Sequence, residues 1–317
     1  YFDGAPIVSV SGRTFPVDIL YRPLESEEDE NGESSKAQAD PLTTGIFSAL
    51  HEIESLERKQ KQAPGDVLIF LSGERDIRDL AGELRKQPMR NTEILPLYAR
   101  LTPAEQNRIF AKHTGRRIVL STNVAETSLT VPGIVYVIDT GYARISRYSV
   151  ASKVQRLPIE RISQASANQR SGRCGRVSHG TCIRLYSEED FVSRTEFTDP
   201  EIQRTNLSAV ILQMLMLRLG EIENFPFLDK PEQKAINDGY KLLLELGAID
   251  KARQISAVGR KMAAIPADPR LGRMLIEAAS RGCLQELLII VSALSVQDPK
   301  ESPPDKRQAA REQHQQF

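Results

Sequence analysis

Gln169, Arg173 and Arg176 fall within Ser163-Gln-Ala-Ser-Ala-Asn-Gln-Arg-Ser-Gly-Arg-Cys-Gly-Arg176. On a helix, positions i, i+4 and i+7 share one face, so an amide and two guanidinium groups would point the same way. Like charges side by side repel unless an anion or a carboxylate sits against them. Arginine forks suit phosphate oxygens and stabilise the charge that spreads over a transferring phosphoryl group. Ser163 and Ser166 are candidate caps for the helix start. Gly172 and Gly175 would admit another backbone or a ligand at close range. For an isolated R-x-x-R a solvated basic face is the plain alternative. The glutamine, the paired glycines and the stretch upstream favour phosphate chemistry.

That upstream stretch, Ser121-Thr-Asn-Val-Ala-Glu-Thr-Ser-Leu-Thr130, is rich in small hydrogen-bonding side chains. Asn123, Thr127 and Ser128, with free backbone N–H groups, suit phosphate oxygens without reading base sequence. Helix caps and Asx-turns are the alternative uses of the same residues.

These segments carry a resemblance. Gln169-Arg-Ser-Gly-Arg-Cys-Gly-Arg176 resembles motif VI of the DEAH-box RNA helicases, Q-R-x-G-R-x-G-R. Ser121 to Thr130 resembles their motif V, and Leu68-Ile-Phe-Leu-Ser-Gly-Glu-Arg-Asp-Ile77 their motif IV. The order is right, the resemblance runs from about Phe2 to about Asp298, and the bacterial HrpA type is the nearest in character. It implies that Arg173 and Arg176 act as arginine fingers toward a γ-phosphate and that Gln169 orients the attacking water. Phe110, ending the Arg-Ile-Phe segment, matches the aromatic that stacks on the nucleotide base, with core packing as the alternative. Thr127 and Ser128 match RNA-backbone contacts. The implied partners are ATP, or another NTP, with Mg²⁺, and single-stranded RNA; the implied activity is 3′-to-5′ unwinding. Ser171 and Cys174 stand where the family often has Ala. Cys174 lies beside two arginines, which could lower its pKa, but an inert thiol is the expectation.

No G-x-x-x-x-G-K-[ST] and no D-E-A-H occurs among the 317 residues. Without a phosphate cradle and fixed Mg²⁺ ligands the chain alone is expected to be inactive. ATP and Mg²⁺ would be held mainly by a first RecA-like domain, of which residues 1–13 would be the end. A non-enzymatic RNA-binding scaffold and a DNA-directed helicase of the same superfamily are the rival readings; RNA over DNA rests on the resemblance.

A length of 317 residues suggests about two domains of ~100–200 residues. Lys+Arg and Asp+Glu are both 42, so any basic surface is local. It concentrates in Arg144, Arg147, Lys153, Arg156, Arg161, Arg170, Arg173 and Arg176, with Glu160 as the acidic residue among them. The three cysteines have no metal-ligand spacing and no metal site is expected; they fit a reduced, cytoplasmic protein. No apolar run is long enough to span a membrane, and no membrane partner is expected.

The elements that would position these residues alternate. Ile7 to Val10 and Phe15 to Tyr21 read as strands, and Leu24 to Ala39 as a disordered acidic loop, with a nucleic-acid mimic as the alternative. Asp40-Pro41 opens a helix with Ile46, Ala49, Leu50, Ile53 and Leu56 on its apolar face. Val67 to Leu71, Thr92 to Leu97, Arg117 to Leu120 and Ile134 to Ile138 are strands. Ile77, Leu80, Ala81 and Leu84 mark a helix, and Thr102-Pro-Ala-Glu105 is a capping box. The pattern predicts an α/β fold, a mostly parallel sheet whose ligands bind at the strands' carboxyl ends. Ser146-Arg-Tyr-Ser and Val154-Gln-Arg-Leu predict a hairpin. It is either an ordinary edge hairpin or, by resemblance, one entering the RNA path through Arg144, Arg147, Lys153 and Arg156.

The second half turns helical. Asn206 to Leu219 is expected to bury Leu207, Val210, Ile211, Met214 and Leu217 and to stop at Gly220. A helix after Asp229-Lys-Pro231 should bury Ile236, Tyr240 and Leu243. A small wing around Lys251 suggests a winged helix. Asp268-Pro269 caps a further helix, Leu284 to Val296 reads as a buried one, and Lys300 to Phe317 as a frayed polar end. The expected domains are a second RecA-like domain at 14–190, a winged helix at 191–262 and the start of a ratchet-like domain at 263–317.

Overall fold

The computed structural model describes residues 4–8, 15–24, 40–127, 129–296 and 307–315. The chain divides into two compact units. The first comprises Tyr1–Ile145 and Leu157–Thr198, and the second Ser146–Arg156 and Asp199–Phe317.

The first unit is built on strands β1 (Val17–Tyr21), β2 (Asp66–Phe70), β3 (Thr92–Leu97), β4 (Arg116–Ser121), β5 (Ile134–Asp139) and β10 (Gly180–Arg184). Their order is β1-β10-β5-β2-β4-β3, and every pairing is parallel. The central strands β2 (Val-Leu-Ile-Phe) and β5 (Ile-Val-Tyr-Val-Ile) carry continuous apolar runs, as a sheet covered on both faces requires. Val67, Ile69 and Leu71 pack on one face with α1 (Pro41–Gln60) and α2 (Glu74–Lys86). Leu68 and Phe70 alternate onto the other. That second face is covered by Ile109, Ala125, Val131 and Cys174, which lie in or directly beside the segments singled out for chemistry. The motif segments are therefore a structural layer as well as a site.

Local chemistry explains the element ends. Thr102 accepts from Glu105 N while the Glu105 side chain bonds back to Thr102 N, the reciprocal box that opens α3 (Pro103–Asn107). Ser163 Oγ accepts from Ser166 N at 3.2 Å and caps α4 (Gln164–Ser171). Ser166 is no cap: its hydroxyl donates to Glu126. Two short ribbons interrupt the sheet. One pairs β6 (Tyr142–Arg144) with β9 (Ile159–Arg161), and the other pairs β7 (Arg147–Ser149) with β8 (Val154–Arg156). The expected hairpin is thus present, and it belongs to the second unit.

The second unit also holds α6 (Glu201–Arg204), after α5 (Glu188–Ser193) has closed the first. Then follow α7 (Ser208–Leu217), α8 (Gln233–Glu245), a single antiparallel bridge between Ile249 and Ile255, and α9 (Ala257–Ala263). The helices α10 (Pro269–Arg281), α11 (Leu284–Ser295) and α12 (Arg307–His314) end the described chain. Leu207, Ile211, Met214, Ile236, Tyr240 and Leu243 form its core as the periodicity predicts.

Several expectations fail for local reasons. Leu217 is exposed, and α7 ends on Arg218 in the left-handed conformation (φ 57°), two residues before Gly220. The helix α11 is not buried: among its residues Val291 alone is buried, while Ile289 is 72% and Leu294 62% exposed. Arg307–His314, expected to fray, is helical. Ile7 and Val8 are exposed and lie in no strand. Residues 9–10 of that expected strand, the acidic segment 25–39 and Ser128 lie outside the described residues.

The tightest backbone approach in the second unit is at Gly259. A Cβ built there would lie 2.0 Å from the Ala248 carbonyl oxygen. Gly259→Ala should therefore push α9 off the bridge and cost about 1–3 kcal/mol. Urea denaturation followed by circular dichroism checks this; an unchanged midpoint would show that α9 can shift freely.

Candidate functional site

The helix α4 ends at Ser171, and the chain then turns through Gly172 to Val177. Arg173 and Arg176 are therefore not on a continuous helical face with Gln169, contrary to the spacing argument. The turn brings the two arginines together instead. Arg173 Nη1 reaches Leu129 O at 3.4 Å, and Arg176 Nη1 donates to Thr130 Oγ1 at 2.9 Å. Both rest on the two residues that close the motif V stretch. Gly175 makes the turn possible, since a Cβ there would meet Phe15 O at 2.8 Å. Gly172 has no such neighbour within 3.4 Å, so packing does not require it.

The two arginines differ. Arg173 is 8% exposed, its Nε has no hydrogen-bond partner among the described residues, and Arg176 is exposed. Burial, and then the like charge of Arg176, depress the Arg173 pKa; Glu126 opposes them. The repulsion expected from the sequence is thus present, though it arises in a turn. Gln169 is exposed at the end of α4 and its amide makes no hydrogen bond among the described residues.

Beneath them lies a residue the spacing argument passed over. Arg170 is fully buried, with Nη1 donating to Asp139 Oδ1 at 2.7 Å and Nε to Glu126 Oε2 at 3.0 Å. Asp139, also fully buried, accepts from Tyr186 Oη at 2.8 Å and from Gly141 N at 3.0 Å. Burial alone would lower the Arg170 pKa, but Asp139 and Glu126 outweigh it and raise it. Burial and then the Asp139 charge push the Tyr186 phenol up. The network ties the carboxyl end of β5, motif V through Glu126, and motif VI through Arg170. Ser166 and Arg170 are i, i+4 on α4 and both bind Glu126, a spacing that was available in the sequence.

The motif V loop follows the carboxyl end of β4 as a single 3₁₀ turn, Asn123–Ala125. Ala125 is buried beneath it, while Asn123 and Thr127 are exposed. Neither side chain is used in a cap or an Asx-turn among the described residues. Phe110 is 50% exposed while its neighbour Ile109 is fully buried, so core packing is not its role.

The basic residues of the ribbons divide. Arg144 is an exposed residue of the first unit, lying across Gly73 at the start of α2; a Cβ on Gly73 would fall 2.7 Å from Arg144 Nε. Arg147, Lys153 and Arg156 are in the second unit. There Tyr148 Oη donates to Asp238 Oδ2 at 2.9 Å, docking the β7–β8 hairpin on α8. Arg147 pairs with Asp199, and Lys153 Nζ lies 3.8 Å from Glu245. Arg156 has no carboxylate partner among the described residues.

Cys174 and Cys182 are fully buried, and burial pushes the Cys174 thiol up to about 12. The two arginines therefore do not activate it. Thiol titration of the native chain should modify Cys283 alone, with Cys174 and Cys182 reacting after unfolding. Rapid native labelling of Cys174 would contradict this burial.

Residues 47–178 match the model of the helicase conserved C-terminal domain, and residues 268–317 that of the ratchet-like helicase-associated domain. The chain is 59% identical over its whole length to the ATP-dependent RNA helicase HrpA of Escherichia coli K12, of which it covers 24%. It is 57% identical, again over its whole length, to the HrpA homolog of Haemophilus influenzae, also covering 24%. The chain thus spans about a quarter of these relatives. The crystal structure of the Escherichia coli DEAH/RHA helicase HrpB matches 92% of the chain and 35% of its own, with a TM-score of 0.78 and 30% identity. The order of motifs IV, V and VI, the parallel sheet that carries them and these matches agree: the chain belongs to the DEAH-box helicase family of the HrpA type, spanning its conserved C-terminal helicase domain and ratchet-like domain.

Proposed function

We propose that this chain is the C-terminal part of an ATP-dependent, 3′-to-5′ RNA helicase, lending two arginines to NTP hydrolysis and a backbone-binding track to RNA. The observation that carries it is the pair Arg173 and Arg176. They are two cations without a carboxylate of their own, resting on the end of the loop whose Asn123 and Thr127 face outward. An anion placed against both would relieve their repulsion, and phosphoryl transfer supplies such an anion in its transition state. Arg173 and Arg176 would hold γ-phosphate oxygens, Gln169 would orient water, and the exposed Phe110 ring would stack on the base. A stacking ring accepts any base, because every base has a π-face. No cluster of metal ligands occurs among the described residues, and Mg²⁺ would be held by residues outside this chain. When bound, Mg²⁺ would neutralise charge on the phosphates.

On the RNA side, Asn123, Thr127, Ser128, Arg144 and Arg156 would meet sugar and phosphate, with Arg147 and Lys153 exchanging their carboxylates for phosphate. The helices α7 and α8 and the Ile249–Ile255 bridge would form a winged helix, and the protein would act in the cytoplasm. No described helix is long and apolar enough to cross a membrane.

The arginine roles are tested in the longer protein that contains a P-loop. Arg176→Ala or Arg173→Ala should cut kcat by roughly 10³-fold or more, leaving RNA affinity nearly unchanged. Phe110→Ala should raise KM for all four nucleotides together. The 317-residue chain alone should show no ATP hydrolysis. Near-normal turnover in both arginine variants, or RNA-stimulated hydrolysis by the chain alone, would overturn this account.

RNA binding by the chain should be nearly sequence-independent and salt-sensitive. Few of its track cations lack a carboxylate, so log Kobs against log salt should fall with a slope of about −1 to −3 for single strands. Arg156→Gln should reduce that slope by about 0.7. Titrations on unrelated sequences at several salt concentrations measure both. A flat response, or strong preference for one sequence, is the contrary result.

A further inference from the structure

The amino ends of β2, β3 and β4 frame a cavity of about 680 Å³, within the range of small-ligand pockets. It lies at the opposite pole of the sheet from the motif V loop, which follows the carboxyl end of β4. The proposed helicase chemistry does not use it. Its floor is apolar, with Phe47 and Leu50 from α1 and Met89 before β3.

Its charges are unbalanced. Arg116, 7% exposed, gives Nη2 to the buried Glu57, whose other oxygen accepts from Gly65 N at 2.8 Å. Glu57 is thereby fully used. Arg116 Nη1 reaches only Glu54 Oε1, at 3.8 Å, too long for a hydrogen bond. The Arg116 Nε–H has no acceptor. A buried guanidinium holding one carboxylate therefore keeps unused donor capacity, a costly arrangement that calls for an explanation. At the rim stand Lys61 and Arg90, both exposed, and neither has a carboxylate partner among the described residues. Lys61 is held at the end of α1 in the left-handed conformation (φ 53°), and its own N–H and that of Gln62 return to Arg58 O and Glu57 O. The Glu57 and Arg58 carbonyls, which would otherwise repel an anion at the helix C-terminus, are thus capped.

We propose that this cavity is a binding site for a carboxylate carried on an apolar body. The free edge of Arg116 takes the planar head, as guanidinium takes carboxylate. Lys61 and Arg90 close over it from the rim, and the body lies on Phe47, Leu50 and Met89. A single free guanidinium edge suits one planar, singly charged head. Two sources share this chemistry: a free small-molecule acid, and an acidic side chain beside an apolar one in a peptide.

The test is an amide chemical-shift titration of the chain with 4-phenylbutyrate and with N-acetyl-Phe-Asp-amide, each against its neutral counterpart, 4-phenylbutanamide or N-acetyl-Phe-Asn-amide. The expected result is that one or both acids shift amides within 47–62 and 87–92, binding at least about tenfold tighter than their neutral counterparts. Whichever acid binds tighter identifies the source. Arg116→Gln breaks a buried pair and can unfold the chain, so the decisive variant is the surface double change Lys61→Gln with Arg90→Gln. It should leave the fold intact and weaken the preference for acid by at least about threefold, Arg116 remaining. Equal binding of acids and amides, shifts confined to other residues, a preference unchanged by the double change, or no binding up to roughly 10 mM would each overturn the proposal.

Discussion

The first unit depends on one buried cation. Arg170 has no exposed surface, and its guanidinium is shared between Asp139 at the end of β5 and Glu126 in the motif V loop. It also lies 4.8 Å from the Phe70 ring centroid. Removing a charge of this kind from water costs several kcal/mol, which paired carboxylates and saturated hydrogen bonds must offset. Here they do: Arg170 also donates to Tyr142 O, and Asp139 is met by Tyr186 and Gly141 as well. Such a network tolerates one arrangement, because a half-satisfied version would leave a buried charge uncompensated. The reward is position. Two loops that must present exposed polar groups are fixed relative to each other by a bond neither of them exposes.

This division of labour explains what could be read in advance. The strands β2 to β5 and the helices α1, α2 and α8 were legible because burial imposes a period, and a residue facing the core cannot be polar without a partner. The capping box at Thr102 was legible because its two bonds are local. The end of α4 was not. A helix stops where tertiary contacts compete, and the Gly175 approach to Phe15 O spans a separation of 160 residues. The shared helix face expected for Gln169, Arg173 and Arg176 was therefore wrong in geometry, although the like-charge repulsion it implied is present between Arg173 and Arg176. Arg170 escaped notice because an arginine within a basic run looks like surface charge. The run of apolar residues in α11 was misread for the opposite reason: an apolar run says that a face seeks burial, not that this chain buries it.

The same correction applies to the local excess of charge. Eight cations face one acid between Arg144 and Arg176 in the sequence, which suggests a strongly basic surface. In three dimensions much of that charge is answered. Arg170 meets Asp139 and Glu126, Arg147 meets Asp199, Lys153 meets Glu245, and Arg161 meets Asp190. The acids come from elsewhere in the chain, where a linear count cannot see them. Arg144, Arg156 and Arg176 are left exposed without a carboxylate among the described residues. A chain of zero formal net charge thus presents its cations singly, at chosen points, rather than as a continuous basic field.

That economy gives Arg173 and Arg176 their meaning. Most buried arginines of the first unit are neutralised: Arg116 by Glu57, Arg117 by Glu93, Arg194 by Asp190, Arg170 by two acids. Arg184 is held instead by Tyr21 Oη, Asn168 Oδ1 and the Phe191 ring. Among the described residues, Arg173 has neither a paired carboxylate nor a ring against it. It lies buried beside another cation, with Nε unsatisfied and its pKa depressed by burial and by Arg176. Folded sequences break a local rule of this kind where function needs the strain. An acid placed against Arg173 would have stabilised the free protein and, by occupying the donors, would have removed the reason for an anion to bind. The cost of leaving the pair unneutralised in the resting protein is what makes their interaction with incoming negative charge favourable.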